Sequence, residues 1–215
     1  PRASMAGFTD GIERWVDYAT VNGRLFVNNV SLGIYATVVQ RDEYRDAKAA
    51  TFASLLPQLL GPDTEPFDLQ FTEPDGTEVD GAFLILVSNN PYEIGTSLDN
   101  FQRRRLDTGE LGIVAVNTPG AVEAAALVAA SATGLRSRDP HWHEFTAPEF
   151  EIRSRTGTAY VGVDGEALEL DAPLHFRSHS AGLRLLVPDG NLAVAGRRGA
   201  RGVRVADLAA IAFGD

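Results

Sequence analysis

The sequence predicts a mainly β protein, a two-sheet β-sandwich carrying two or three short helices. Short runs rich in Val, Ile, Tyr, Phe and Thr recur along the chain, which is the composition of strands. Asn-Gly and Asp-Gly dipeptides punctuate them, and these are turns that hairpins favour. Helical stretches are few and do not alternate with the strands, so nothing indicates a parallel βαβ sheet. With 215 residues, 44% hydrophobic and 22% charged, the chain has enough apolar material to bury a core.

Residues 1–14 read as the remnant of an interdomain region, so the chain is expected to be part of a longer one. From Trp15 the texture is β, with Asn22-Gly23 turning one Val-, Tyr- and Phe-rich run into the next. Residues 42–60 place Ala49, Phe52, Leu55, Leu56 and Leu59 at three- and four-residue spacing, which predicts a helix. Gly61-Pro62 stops it. Strands are predicted over 67–72 and 77–88, joined by Glu73-Pro74-Asp75-Gly76, and over 110–116. The alanine-rich stretch 121–132 is a second helix. Five strands follow, at 149–155, 158–163, 166–170, 174–178 and 183–187. The tail, 189–215, carries a short helix at 205–213. Residues 1–215 are thus read as one β-sandwich domain with two short appendages.

Composition excludes several classes. A formal net charge of −10 opposes a general nucleic-acid binder, which carries an excess of Lys and Arg. It equally opposes adhesion to anionic lipid through bulk charge. The absence of cysteine rules out a disulfide framework, a zinc ribbon and a thiol nucleophile, and suits a reducing cytosol. The longest apolar segments, 82–87 and 124–130, fall far short of the roughly 20 residues of a membrane span.

Five Asp-Gly dipeptides occur, at Asp10, Asp75, Asp80, Asp164 and Asp189, and most are simple turns. Asp164-Gly165 stands apart, because it follows the apolar run Ala159-Tyr160-Val161-Gly162-Val163 and leads directly into Glu166. A tight turn there holds two carboxylates close together on a backbone pinned by two strands. Such a pair can divide proton acceptance from orientation of a nucleophile or metal; a plain surface hairpin is the competing account.

Asn28, Asn29 and Ser31 interrupt an apolar strand, and Ser88, Asn89 and Asn90 close another just before Pro91-Tyr92. Satisfied amides at a bulge or strand end explain this structurally; the functional reading is the polar lining of a cleft. Arginines cluster at Arg103-Arg104-Arg105 and at Arg197, Arg198 and Arg201. These are either solvated loops or the places where an acidic protein would draw a phosphate. His141 and His143 lack a third ligand at metal-site spacing, and His175 and His179 read as packing or surface residues. No nucleophile elbow, Walker A loop or dinucleotide fingerprint is present.

These segments, in this order, resemble the C-terminal domain of the diacylglycerol kinase-like lipid kinases. That bacterial group is related to sphingosine and ceramide kinases and, more distantly, to NAD kinases. The matching pieces are Phe26-Val27-Asn28-Asn29-Val30-Ser31-Leu32-Gly33, then Ser88-Asn89-Asn90 through Arg105-Leu106-Asp107-Thr108-Gly109-Glu110-Leu111, then Val163-Asp164-Gly165-Glu166. A closing Leu185-Leu186-Val187-Pro188 also fits, so the similarity runs from about residue 14 to residue 188.

The resemblance implies a β-sandwich that supplies a lipid site. It also implies a separate N-terminal α/β domain carrying a Gly-Gly-Asp-Gly-Thr loop for ATP, which this sequence does not contain. The function implied is that of the lipid-substrate half of an ATP-dependent lipid kinase, acting on a lipid hydroxyl such as that of diacylglycerol and inactive without its partner domain. Asp164 and Glu166 would be the catalytic carboxylates, the base being one or the other. Asn28, Asn29, Ser31, Asn89 and Asn90 would line the substrate site, and the strands over 82–87 and 111–116 would help wall an acyl-chain pocket. ATP and Mg²⁺ belong to the full-length enzyme. Some relatives hold a structural Mg²⁺ in the loop matching residues 105–110, where two adjacent acids precede the Gly; here Asp107 is followed by Thr108. No metal site is therefore assigned, Asp107 and Glu110 being the candidates that remain. Expected partners are a lipid, the missing nucleotide-binding domain and, through strand pairing, a second copy; nucleic acid is not expected. The expected location is cytoplasmic, with peripheral contact at the inner membrane surface. A non-catalytic lipid-binding sandwich and an NAD kinase-like domain are the alternatives.

Overall fold

The computed structural model describes residues 11–33, 67–94, 101–130 and 139–188. Two antiparallel sheets dominate. The smaller joins β1 (Gly11–Val21), β2 (Arg24–Phe26), β11 (Glu149–Ile152) and β14 (Leu174–Pro188) in the order β11-β14-β1-β2. The larger joins β3 (Asn29–Gly33), β6 (Leu84–Asn89), β9 (Leu111–Val116), β10 (Trp142–Ala147), β12 (Thr158–Val163) and β13 (Glu166–Asp171) in the order β10-β9-β6-β3-β12-β13. Two small hairpins, β4 (Gln70–Thr72) with β5 (Glu78–Asp80) and β7 (Glu93–Ile94) with β8 (Phe101–Gln102), and one helix, α1 (Ala121–Ala130), complete the described elements.

Alternation along each strand decides which side chains face inward. In the four-stranded sheet Ala19, Val21, Phe26, Phe150, Ile152, Leu174 and Phe176 share one face, because Val21 pairs with Phe176, Phe150 with Phe176 and Ile152 with Leu174. Val30, Leu32, Ile85, Val87, Ile113, Val161 and Val163 answer from the six-stranded sheet. The seam is strongly aromatic: Phe150 meets Phe176, Phe71 and Phe145 at ring-centroid distances of 6.1, 5.5 and 5.6 Å. Tilted and edge-on geometries of this kind add to the burial term. The two-sheet, mainly β expectation is met.

Several boundaries differ from the sequence reading. The expected strand over 77–88 is two strands in different sheets, β5 and β6, because the chain leaves the hairpin at Asp80 and passes through Gly81, with φ +75°, before entering the core. The expected pair at 174–178 and 183–187 is one long strand, β14, and the stretch between them is a bulge rather than a turn. There the β1 pairing slips between Val16 and Tyr18, and Ala181 takes φ +48°. β7, β8 and β10 were not anticipated; β10 alternates weakly, with half-buried and exposed residues along its length. The helices expected at 42–60 and 205–213, and the ends 1–10 and 189–215, lie outside the described residues.

Candidate active site

Topology gathers the polar segments at one end of the six-stranded sheet. β3 begins at Asn29, β6 ends at Asn89, β12 ends at Val163 and β13 begins at Glu166. Antiparallel registry sets these ends side by side: Asn29 faces Ser88, Val30 faces Val163, and Val163 faces Glu166. Segments 28–31, 88–90 and 164–166, far apart in sequence, thereby meet.

Asp164 and Gly165 form a two-residue hairpin turn in which both have positive φ, +47° and +92°. That is the type I′ geometry suited to strand twist. The Asp164 carboxylate does not project into solvent. Its Oδ1 accepts from the backbone N–H of Asn28 (2.8 Å) and of Asn29 (3.0 Å), and its Oδ2 from that of Val27 (2.8 Å). Glu166 behaves differently. Its side chain is 71% exposed, and Oε2 accepts from Arg24 Nη2 at 2.8 Å. The turn thus separates the two carboxylates into one engaged by backbone and one presented at the rim.

Asn28, Tyr92 and Arg103 form a second cluster beside the turn. The Tyr92 hydroxyl donates to Asn28 Oδ1 at 2.8 Å and lies 3.5 Å from Asn29 Nδ2. Arg103 Nη2 donates to the Tyr92 hydroxyl at 2.5 Å, to the Asn28 carbonyl at 2.9 Å and to Asn28 Oδ1. The guanidinium also stacks on the Tyr92 ring, 4.5 Å from its centroid. Ser31 lies one pleat inward on the face of Asn29, buried against Gly162. Asn89 and Asn90 are buried and serve the framework. Asn89 Nδ2 donates to the carbonyls of Asp17 (2.9 Å) and Val27 (3.2 Å), while Asn90 Oδ1 accepts from the N–H and hydroxyl of Thr108 (2.8 and 2.6 Å).

The three adjacent arginines are each engaged within the protein. Arg103 holds the Asn28 segment, Arg104 pairs with Glu93, and Arg105 pairs with Asp107 at 2.8 Å. The hydrogen bond from Arg105, reinforced by its charge against partial burial, holds the Asp107 carboxyl below the usual carboxylate value. Thr108 is tied to Asn90, and the Glu110 N–H donates to Thr108 Oγ1. Among the described residues no three His, Asp or Glu side chains stand together as a metal site. Of the two acids in the 105–110 loop, Asp107 is matched by the Arg105 guanidinium. Arg197, Arg198 and Arg201 lie outside the described residues. His141 bonds the Asn117 carbonyl and His143 pairs with Glu73, while His175 pairs with Glu151 and His179 stacks on Tyr18.

One feature escaped the sequence reading. Asp17, only 2% exposed, accepts from the N–H groups of Gly109 and Ala181 at 2.7 and 2.8 Å and so ties β1 to the 105–110 loop and the β14 bulge. An acid inside the run Trp15-Val16-Asp17-Tyr18-Ala19 was the available signal. The strands over 82–87 and 111–116, expected to help wall a pocket, border a groove of about 240 Å³ on the outer face of the six-stranded sheet, lined by Leu86, Ser88, Tyr92, Gly112, Val114 and Thr146 among others. A Cβ at Gly112 would come within 2.5 Å of Pro91 Cα and 2.7 Å of Ser88 Oγ, so glycine is what leaves room there. Tyr92 belongs both to this groove and to the polar cluster at the sheet end.

This architecture is shared with solved kinases. A diacylglycerol kinase from Bacillus anthracis strain Sterne superposes with a TM-score of 0.52 at 16% identity, over 84% of this chain and 56% of that one. Two structures of candidate diacylglycerol kinases from the same strain give TM-scores of 0.59 and 0.57 at 20% and 19% identity, over 58% and 57% of their lengths. The chain thus spans a little over half the length of these proteins, and the likeness establishes a diacylglycerol kinase-like fold. No family model matches the sequence, and no curated protein matches it. No helix among the described residues is long and apolar enough to cross a membrane.

Proposed function

We propose that this chain is the lipid-substrate part of an ATP-dependent lipid kinase, one that phosphorylates a lipid hydroxyl such as that of diacylglycerol. One observation carries the reading: an exposed carboxylate, Glu166, opens β13 at the sheet end that also holds Asn28 and Asn29, and Tyr92 links those two amides to a largely apolar groove. Apolar groove and polar rim match an amphipathic alcohol. The fold shared with diacylglycerol kinases over part of their length supports it further.

Phosphoryl transfer asks little of a protein beyond positioning, charge stabilisation and a group to receive the proton of the attacking hydroxyl. Of the two carboxylates, Glu166 suits that last task, since both Asp164 oxygens already accept from backbone N–H groups whereas the Glu166 side chain is 71% exposed. Arg24, 2.8 Å from Oε2, fixes the orientation of the group. ATP, bound by a domain outside this chain, supplies the phosphoryl group. Such an enzyme works at the inner membrane surface of the cytoplasm, where its substrate lies.

Lipid-dependent ATP consumption by the chain joined to its nucleotide-binding domain tests the proposal. Glu166→Gln is expected to lower kcat by about 100-fold or more, the usual worth of a general base. Unchanged turnover would end the catalytic reading. If a fluorescent diacylglycerol still bound, a non-catalytic lipid-binding sandwich would replace it, a role to which the fully engaged Asp164 is also suited.

A further inference from the structure

Residues 27 and 28 lie between β2 and β3 and belong to neither strand. Even so, every backbone polar group of residues 27–29 has a partner. The three N–H groups converge on the Asp164 carboxylate at 2.8 to 3.0 Å. The carbonyls of Val27 and Asn28 accept from Arg103 at 3.2 and 2.9 Å and from the side chain and N–H of Asn89, while that of Asn29 accepts from the N–H of Asp164 at 2.9 Å. Three consecutive N–H groups aimed at one point make an anion-binding concavity. Here the chain supplies the anion itself, from a position 135 to 137 residues away. The opposite side of the same peptide planes faces a guanidinium. That cation is itself half-buried, and its Nε is buried without a partner. Its two Nη atoms and its stacking on the Tyr92 ring hold Arg103 against the loop.

We infer that Asp164 and Arg103 are positioning residues, an anion and a cation that clamp opposite sides of the 27–29 segment and so set the Asn28 and Asn29 side chains at the sheet end. The role of those amides toward a lipid rests on the kinase reading; the clamp does not. Asp164 commits both its oxygens to this segment. Its partners are N–H groups that stay protonated throughout any reaction, and its departure would release the segment that carries Asn28.

The turn makes a clean test possible. Asn-Gly is favoured in a type I′ turn, so Asp164→Asn keeps the hairpin while exchanging one acceptor oxygen for an NH₂ donor. Residue-resolved amide exchange of the full 215-residue chain is the measurement, with the side-chain NH₂ resonances of Asn28 and Asn29 as a signature that a change in global stability would not move. In the unaltered protein the amides of Val27, Asn28 and Asn29 are expected to exchange within about tenfold of β3 ladder amides. In Asp164→Asn at least one of the three should speed up by about tenfold or more, with β9 unchanged and the Asn28 NH₂ signals shifted. Arg103→Lys should shift the same signals. Asp164→Gly should free all three amides, and added formate should slow them again by filling the vacated concavity.

Random-coil exchange at 27–29 in the unaltered protein would overturn the clamp. So would an Asp164→Asn variant with unchanged rates and unchanged Asn28 signals. If a variant fails to fold, the exchange rates of the unaltered protein still decide. A Glu166→Gln enzyme at full turnover would refute the kinase reading and leave these exchange rates as expected, so the two failures are distinguishable.

Discussion

Asp17 lies in β1 between Val16 and Tyr18, and at 2% exposure its carboxyl oxygens accept from backbone N–H groups. Its own N–H donates to the Leu106 carbonyl at 2.7 Å and its carbonyl accepts from Asn89, so one residue ties β1 to the 105–110 loop, the β14 bulge and the end of β6. Asp17→Ala would remove the acceptor of the Gly109 and Ala181 N–H groups, two part-buried hydrogen bonds. A hydrogen bond contributes about 0.5–1.5 kcal/mol net, so a loss of about 1–3 kcal/mol is expected for the two, measured as a lower urea midpoint. The sequence displays an acid in an apolar run; it cannot display acceptors' partners that lie 92 and 164 positions away. The same limit hides the difference between Asp164 and Glu166. Two residues apart, they look equivalent until the 27–29 backbone is folded against one of them.

Among the elements, hairpins were the most legible. Asn22-Gly23, Glu73-Pro74-Asp75-Gly76 and Asp164-Gly165 each turn where the local composition says they must, since positive φ is what these residues tolerate. The failures share a cause: a bulge, a turn and a sheet change look alike in a short window. Residues 179–182 bend β14 without ending it, and Gly81 ends β5 without a hairpin to follow. Gly33 marks another such place, closing β3 with φ +79° where an added Cβ would sit 2.3 Å from the Phe83 carbonyl oxygen. Gly33→Ala combines left-handed backbone strain with a clash against main chain that cannot rotate away. A loss of about 3 kcal/mol is expected, read as a lower unfolding midpoint with the far-ultraviolet signature of the sheets retained.

For the molecule as a whole, stability rests on the aromatic seam between the sheets. Phe150 contacts Phe71, Phe145 and Phe176 and so touches the four-stranded sheet, the six-stranded sheet and the β4–β5 hairpin together. Phe150→Ala is expected to cost about 3–5 kcal/mol, and calorimetry should show one cooperative transition shifted down rather than a split into two. Composition, strand texture and turn dipeptides by themselves determined that this chain is β-rich, pairs its strands through tight turns, and carries polar segments at 28–31, 88–90 and 164–166. Those properties are local, set by side-chain branching and by which residues accept positive φ. Only the tertiary structure decided that the three segments share one sheet end, that Arg103 and Asp107 are matched within the protein, and that Asp164 holds a loop while Glu166 stands outward. Hydrogen bonds to buried backbone depend on strand order and register, and a carboxylate acquires its role from the groups that folding brings to it.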